Sequence, residues 1–464
     1  MAEKEVVIIG SGVGGSAVGA LLAQTHEYRV TLLEKSRLIG GRFATYDKEG
    51  FKLDVGCHML ANCDKGRLGR VLDICGCSDY VKWNYARKPS PVVFYQGERL
   101  RFPFEAHKLG FTGADLENLL RMHRDIMSFT PEDYERYETV SIREFVSRYM
   151  DSELAQSMMG FFSAINFVTR DDETPISEYA LCQKEISVNK ALGYPTGGTG
   201  AVPEAYCRII EEHGGRVMTG AAVDHIVVED GRAAGVVLND GRRLAADLVI
   251  SNASIKETVS GLVDESHYPA EFLEKVRGYR YSFNTHAIKI ALDEPISDDT
   301  MILYVGRRDM NEAERLMEEK GELPDKATHL MIPIISNLDP ESAPEGRQLL
   351  IAGGSSKRPH TAGADTWRRW EAAMTAALED VWPDIRKHIL WTVTTSAEDI
   401  NHFVGEEGCV IGIGQTIGQV GPDRPPLVDP HVGGLYHCSA DTGMHGIGGE
   451  LAADSALRLY ELLV

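Results

Sequence analysis

A short apolar run, Val6-Val7-Ile8-Ile9, leads directly into Gly10-Ser11-Gly12-Val13-Gly14-Gly15, and then into Ser16–Ala23, which reads as a helix lined with small residues. Strand, glycine turn and helix in that order make a cradle for phosphate groups. Gly10 permits the sharp turn, Gly12 lets the backbone approach a pyrophosphate, and Gly15 lets the helix pack closely on the strand. The helix N-terminus offers N–H groups and a positive dipole end to the phosphates. A second strand, Val30-Thr31-Leu32-Leu33, ends in Glu34, about 20 residues on, where a carboxylate can accept hydrogen bonds from a ribose. A glycine hexapeptide alone is a common turn. The flanking strand, helix and acid are what make it a dinucleotide site.

Glu34-Lys35 runs on through Leu38-Ile39-Gly40-Gly41-Arg42 to Gly50-Phe51-Lys52-Leu53-Asp54-Val55-Gly56-Cys57-His58. Two adjacent glycines and an arginine soon after the ribose acid suit a loop returning along the pyrophosphate. The order GxGxxG, acid, GGR, GxxxDxG resembles the N-terminal FAD motif of the flavin-dependent amine oxidase and phytoene desaturase superfamily. That resemblance implies FAD as the cofactor. It places Gly10, Gly12, Gly14, Gly15, Glu34, Lys35 and Gly41 around the dinucleotide and Arg42 on its phosphates. Gly56 and His58 then return towards the flavin.

Two later stretches carry the same resemblance. After Gly193-Tyr194-Pro195-Thr196-Gly197-Gly198-Thr199-Gly200 a helix is expected over 201–213. Short strands at roughly 8–12-residue spacing from Arg216 onward, separated by GR and DG turns, read as a small β-meander. Asp247–Ala253 reads as a buried strand ending in small polar residues. By the resemblance the Val223 backbone lies near the adenine and Asn252 beside the nucleotide. The final segment has a strand at Gly433–Ser439, then Ala440-Asp441-Thr442-Gly443-Met444-His445-Gly446-Ile447-Gly448-Gly449-Glu450 and a helix from about 449 to 463. In the superfamily this forms the second half of the FAD site. Asp441 would hold the ribityl chain or a phosphate-linked hydroxyl. The N–H groups of Ile447, Gly448 and Gly449 would face the flavin's pyrimidine edge at a helix N-terminus.

The elements that position these motifs follow from periodicity. Residues 62–80 read as a helix leaving the nucleotide domain, and 91–103 as a hairpin. Helical spacing covers 113–128 and 141–160, the latter opened by a capping box at Ser141–Glu144. Strands are expected over 281–292, 300–305, 328–335, 348–353 and 389–395, with an amphipathic helix over 367–378. The Met- and Phe-rich stretch Met158–Phe167 suits either buried core or the wall of an apolar channel. The fold expected is α/β. A Rossmann-like FAD-binding domain, parallel sheet plus β-meander, carries an inserted mixed-sheet α+β substrate domain. The segments alternate: FAD-binding 1–75, 193–275 and 405–464; substrate 76–192 and 276–404. Gly412–Gly418 mimics a second dinucleotide loop. It runs into Gly421-Pro422 and Pro425-Pro426, which bar a following helix, so no second Rossmann unit is expected.

The chain of 464 residues is 43% hydrophobic and 25% charged, ordinary for a globular protein, and long enough for two or three domains. Its formal charge of −21 argues against nucleic acid as a partner. No apolar run reaches the ~18–20 residues that span a bilayer. Eight cysteines without a CxxC pair point to reduced thiols in a cytoplasm and to no metal site. Arg307-Arg308 and Arg368-Arg369 read as solvated surface; a peripheral membrane contact would suit a lipid substrate. The oligomeric state is open.

The resemblance implies a flavoprotein oxidoreductase of the phytoene desaturase-like branch. The amine oxidase branch often places an aromatic pair before the flavin near the C-terminus, and no such pair stands here. The chemistry implied is hydride exchange between flavin N5 and a carbon–carbon bond of a hydrophobic, isoprenoid-like substrate, as desaturase or saturase. The alternatives are an amine or amino-acid oxidase, and a flavin-dependent double-bond isomerase. The proton that must accompany the hydride could be carried by His445, Glu450, Tyr194 or His58.

Overall fold

The structure is a computed structural model that describes residues 3–56, 58–87, 90–306, 323–355 and 364–464. Cys57 and the Arg307-Arg308 pair lie outside the described residues. Arg368 and Arg369 are exposed, as expected of solvated surface.

A five-stranded, wholly parallel sheet orders its strands Leu435–His437, Leu248–Ser251, Lys4–Ile9, Tyr28–Glu34 and Arg216–Thr219. β-Branched residues dominate the central strand because both of its faces are buried. Val6 and Ile8 pack under helices Val13–Ala23, Ala201–Glu212 and Gly449–Leu463, whereas Val7 and Ile9 pack under an antiparallel meander. Every residue of helix Val13–Ala23 is buried, which is why its sequence is apolar or small all round.

The meander comprises only Val223–Glu229, Arg232–Leu238 and Arg243–Ala245. Arg216–Thr219, expected within it, is instead the edge strand of the parallel sheet, paired with Thr31–Glu34. The helix before it carries the chain across the sheet face, so the strand returns parallel to its neighbour.

A seven-stranded mixed sheet runs Ile389–Thr395, Thr285–Leu292, Gln348–Ser355, His329–Pro333, Met301–Val305, Val92–Tyr95 and Glu98–Leu100. The last two form the expected hairpin. Alternation decides what each face covers. Ile302 and Tyr304 pack with helix Ala364–Val381, while Met301, Leu303 and Val305 pack with helices Gly113–Met127, Ile142–Ser147 and Glu153–Phe167.

Two helix expectations are corrected. The stretch 141–160 is not one helix, because Ser152 restarts it as a new N-cap, accepting from the Ala155 N–H at 3.4 Å. The capping box at Ser141 is half formed: its hydroxyl accepts from Glu144 N–H at 3.1 Å, but the Glu144 carboxylate turns to Arg148. Residues 62–80 hold a shorter helix, Arg67–Ile74, bounded by Gly66 and Gly76. Gly412–Gly418 leads into no helix of regular length, as its prolines require.

Candidate functional site

The parallel sheet's central strand ends at Gly10, whose φ of +96° turns the chain into the glycine loop. The N-cap of the first helix is Gly12, which has no side chain to satisfy the helix's free N–H groups. Gly12, Val13 and Gly14 instead form part of the wall of a cavity of about 780 Å³. The glycines are needed by the protein itself as well as by a ligand. A methyl group on Gly12 would stand 2.6 Å from Asn252 Oδ1, and one on Gly14 2.5 Å from the Cys438 carbonyl oxygen. Asn252 ties the loop together by donating to that carbonyl at 2.7 Å, while its own N–H reaches Ile9 O. Gly15 lies outside the cavity, where a methyl would strike Gly10 O, so its task is the close helix–strand approach.

At one end of the cavity lie Leu33, Glu34, Lys35, Ala222 and Val223. Glu34 is 7% exposed. Its Oε2 accepts from Ser11 N–H (2.9 Å) and Ser11 Oγ (2.7 Å), and its Oε1 from Ser36 N–H (2.8 Å). A carboxylate offers about four acceptor positions, so the acid both braces the glycine loop and keeps capacity for a hydroxyl.

The cavity wall also carries charge. Gly41, with φ of +57°, delivers Arg42 to the wall beside Gly12. Arg42 Nη2 is 2.7 Å from Glu406 Oε2, and its Nε donates to Cys409 O at 3.0 Å. Asp441 is buried and accepts from Ile413 N–H (2.8 Å) and Ile255 N–H (3.1 Å). Glu257 accepts from Glu406 N–H at 3.1 Å. Burial pushes the Glu406 carboxyl up to about 7, despite Arg42, and Asp441 and Glu257 add to the rise.

Beyond this stand Gly56, His58, Ile447, Gly448 and Gly449. Gly448 has φ of +53° and is the N-cap of helix Gly449–Leu463, again with no side-chain cap. Two bare helix N-termini therefore open on one cavity. That arrangement suits a ligand with phosphates at one point and an electron-rich heterocycle edge at another.

The cavity then continues without a break into an apolar end. Met301, Leu303 and Met331 of the mixed sheet form one wall there, and Phe162 and Ile165 of helix Glu153–Phe167 another. Core and channel wall are thus both present in the Met- and Phe-rich stretch: Met158, Met159 and Phe161 are buried, while Phe162, Ile165 and Asn166 line the space.

Glu450, in the first turn of the last helix, lines the cavity and is 4% exposed. Its Oε2 accepts from Arg67 N–H, and the carboxylate lies against Gly66 at the start of helix Arg67–Ile74. Burial raises its carboxyl to about 7, against the pull of Arg67, and Glu185 adds to the rise.

Two of the four candidate proton carriers do not line the cavity. Tyr194 is fully buried outside the cavity and donates to Asp54, which also accepts from Thr45 Oγ1 (2.7 Å) and Thr199 N–H (3.0 Å). Its strand, Gly193–Pro195, pairs with Trp83–Tyr85 and so aims the ring at the Thr45–Asp54 hairpin. His445 also stands off the cavity wall, its Nδ1 3.0 Å from Glu178 Oε1. Burial works against a charged ring there, but the Glu178 carboxylate outweighs it and raises the imidazole above its ordinary value. Only His58 and Glu450 of the four reach the cavity. Sequence reasoning missed Glu257 and Glu406, which line it too. Neither sits in a recognisable local pattern, since Glu406-Glu407 is one acidic pair in an acidic chain. Among the described residues no group of side chains could hold a metal ion, and no helix is long and apolar enough to cross a membrane.

Comparison with known proteins gives the same picture. A phytoene desaturase of Fusarium fujikuroi is 24% identical over 504 residues, covering 95% of this chain and 86% of the relative. A chloroplastic prolycopene isomerase of Daucus carota is 24% identical over 391 residues, 75% of this chain and 60% of that protein. The crystal structure of an oxidoreductase from Methanosarcina mazei superposes with a TM-score of 0.75 at 21% identity, covering 98% of this chain and 100% of that one, which shows the shared fold. The family model of the flavin containing amine oxidoreductases matches residues 17–360. That span covers most of the chain, and the two uncapped helix N-termini around one cavity accommodate the FAD the family carries; the protein belongs to the flavin containing amine oxidoreductases and is an FAD-dependent oxidoreductase.

Proposed function

We propose that the protein exchanges hydride between FAD and a carbon–carbon bond of an elongated hydrophobic substrate of the carotenoid type, as a desaturase or saturase of the phytoene desaturase-like branch. One observation carries the reading. The dinucleotide part of the cavity runs directly into an apolar part walled by Phe162, Ile165, Met301, Leu303 and Met331. Hydrocarbon binding comes from enclosed area, at roughly 25 cal/mol per Å², and such a wall supplies it. The names of the relatives, phytoene desaturase and prolycopene isomerase, support the same substrate class.

When bound, FAD supplies the hydride acceptor or donor. The chain's residues hold it in place. Glu34 would hold a ribose, the bare N-terminus of helix Val13–Ala23 would take the pyrophosphate, and the N–H groups at Ile447–Gly449 would meet the ring edge. The apolar walls position the substrate and exclude water. Glu450 is the group that carries the accompanying proton. Glu450 lines the cavity, and a carboxyl raised to about 7 can both take and give a proton at neutral pH. In desaturation the carboxylate takes the proton from the carbon next to the one that loses hydride; in saturation the acid returns it.

The same Glu450 is the observation that favours an amine substrate, since a buried carboxylate can pair with an ammonium group. Anaerobic titration of the flavin separates the readings. Bleaching of the FAD absorbance by an acyclic carotenoid in detergent, with a new polyene spectrum, is the expected result. Peroxide and ammonia release from polyamines, with no response to any polyene, would replace it with amine oxidation.

A further inference from the structure

Five carboxylates (Glu34, Glu257, Glu406, Asp441 and Glu450) and two cations (Lys35 and Arg42) line the cavity, a formal charge of −3. The FAD diphosphate brings two more negative charges into the same space. Adding charge of the same sign to a buried site raises the cost of keeping its carboxylates ionised, most for the one with the least support.

The hydrogen bonds say which one. Glu34 accepts from two N–H groups and a hydroxyl, and Asp441 from two N–H groups. Glu257 accepts from the Glu406 N–H. Glu450 takes a backbone N–H from Arg67 and stands at the helix Gly449–Leu463 end of the cavity, away from the glycine loop. Glu406 has no backbone donor on its carboxylate among the described residues. Its partners are Arg42 Nη2 at 2.7 Å, Arg42 Nη1 at 3.5 Å and the Cys409 thiol at 3.5 Å. Arg42 is also the cation that follows Gly41 at the glycine loop, where the diphosphate must lie. The groups facing Glu406 from the elements around it are otherwise acidic or neutral: Asp441, Glu257, Cys409 and the Tyr281 phenol.

We infer that Glu406 is the counter-ion of Arg42 in the cofactor-free protein and takes up a proton when the FAD diphosphate claims that arginine, so that flavin binding is coupled to proton uptake. One O–H bond forms on Glu406; the proton comes from solvent and returns to it when FAD leaves. The neutral acid then stays beside Asp441 and Glu257 without repelling them or the phosphates. The inference rests on the FAD assignment and adds to it a residue that controls when the cofactor is held.

The sign follows from linkage. Burial pushes the Glu406 carboxyl up to about 7 in the free protein, and the inferred proton uptake puts it higher in the complex. Below pH 7 it is already protonated and affinity is flat. Above pH 7 each unit weakens FAD binding, with a slope approaching tenfold per pH unit, until the pKa of the complex is reached. The experiment mixes FAD-depleted protein with FAD in weakly buffered solution at pH 8 containing a pH indicator. Flavin fluorescence quenching reports binding in the same cuvette. The wild type is expected to take up close to one proton per FAD bound. Glu406→Gln should bind FAD with no such uptake and with an affinity that no longer falls between pH 7 and 9. Glu450→Gln should keep both the uptake and the slope. Binding of FAD by the wild type with no proton uptake overturns the inference while leaving the cofactor in place; absence of any flavin binding overturns the cofactor assignment itself. Uptake that survives in Glu406→Gln, or is lost in Glu450→Gln, assigns the proton to another carboxyl and overturns the role given to Glu406.

Discussion

Phe161 and Phe162 are neighbours in sequence, and the structure gives them different tasks. Phe161 is 3% exposed, with its ring edge-on to His329 at 4.9 Å between centroids, inside the cluster beneath the mixed sheet. Phe162 lines the apolar end of the cavity and rests against Phe102 at 5.6 Å. Phe161→Ala should therefore cost about 3–5 kcal/mol of stability, the range for emptying a packed phenyl site, and lower the unfolding midpoint. Phe162→Ala removes one ring face from the substrate. If that face contributes about 40–60 Å² of contact, at roughly 25 cal/mol per Å² the loss is about 1–1.5 kcal/mol, or a five- to twelve-fold rise in KM. The assay is paired: steady-state kinetics on a polyene substrate and thermal unfolding for each variant, with flavin content measured to confirm loading. Phe162→Ala should move KM with little change in FAD content. A KM unchanged in Phe162→Ala but raised in Phe161→Ala would refute the placement of the channel.

Glu34→Ala should weaken FAD binding by about 1–3 kcal/mol, and Ser11 loses its anchor at the same time; unchanged flavin retention through dialysis removes Glu34 from the ribose. Tyr194→Phe takes a hydrogen bond from the buried Asp54 and should lower stability by about 1–3 kcal/mol while KM and flavin content stay put; altered kinetics at an unaltered unfolding midpoint would return Tyr194 to the active site. Glu450 titrates at about 7, so a desaturase that uses its carboxylate should lose kcat/KM as pH falls below 7, and a saturase that uses the acid should lose it as pH rises above 7. Glu450→Gln should abolish that limb of the profile; a limb that survives belongs to another group.

Much of the cofactor cradle was legible in the sequence because its signals are local. Gly10, Gly12 and Gly15 act within one turn, Glu34 ends the next strand, and Ile447–Gly449 start a helix. What escaped is what only tertiary structure brings together. Arg42 meets a carboxylate 364 residues away, and no window of the sequence contains both. Tyr194 and His445 sit beside flavin-associated glycines, and proximity in sequence pointed them at the cofactor. Pairing with Trp83–Tyr85 and the pull of Glu178 turn them elsewhere. The Met- and Phe-rich stretch posed a choice between core and channel that its own helix removes, since successive residues on a helix differ in direction by about 100°.

The parallel sheet has a temporal consequence. Its strands come from residues 4–34, 216–251 and 435–437, and the helix Gly449–Leu463 that completes the cavity follows the last of them. During synthesis the first helix emerges early with every residue destined for burial, yet the closing helix that covers it arrives more than 400 residues later. At translation speeds of about 5–20 residues per second, that apolar surface waits for tens of seconds. The cavity that takes the flavin is therefore complete only once residues 435–463 have been delivered. Delivery of the last helix is in this sense the step that completes the FAD cavity.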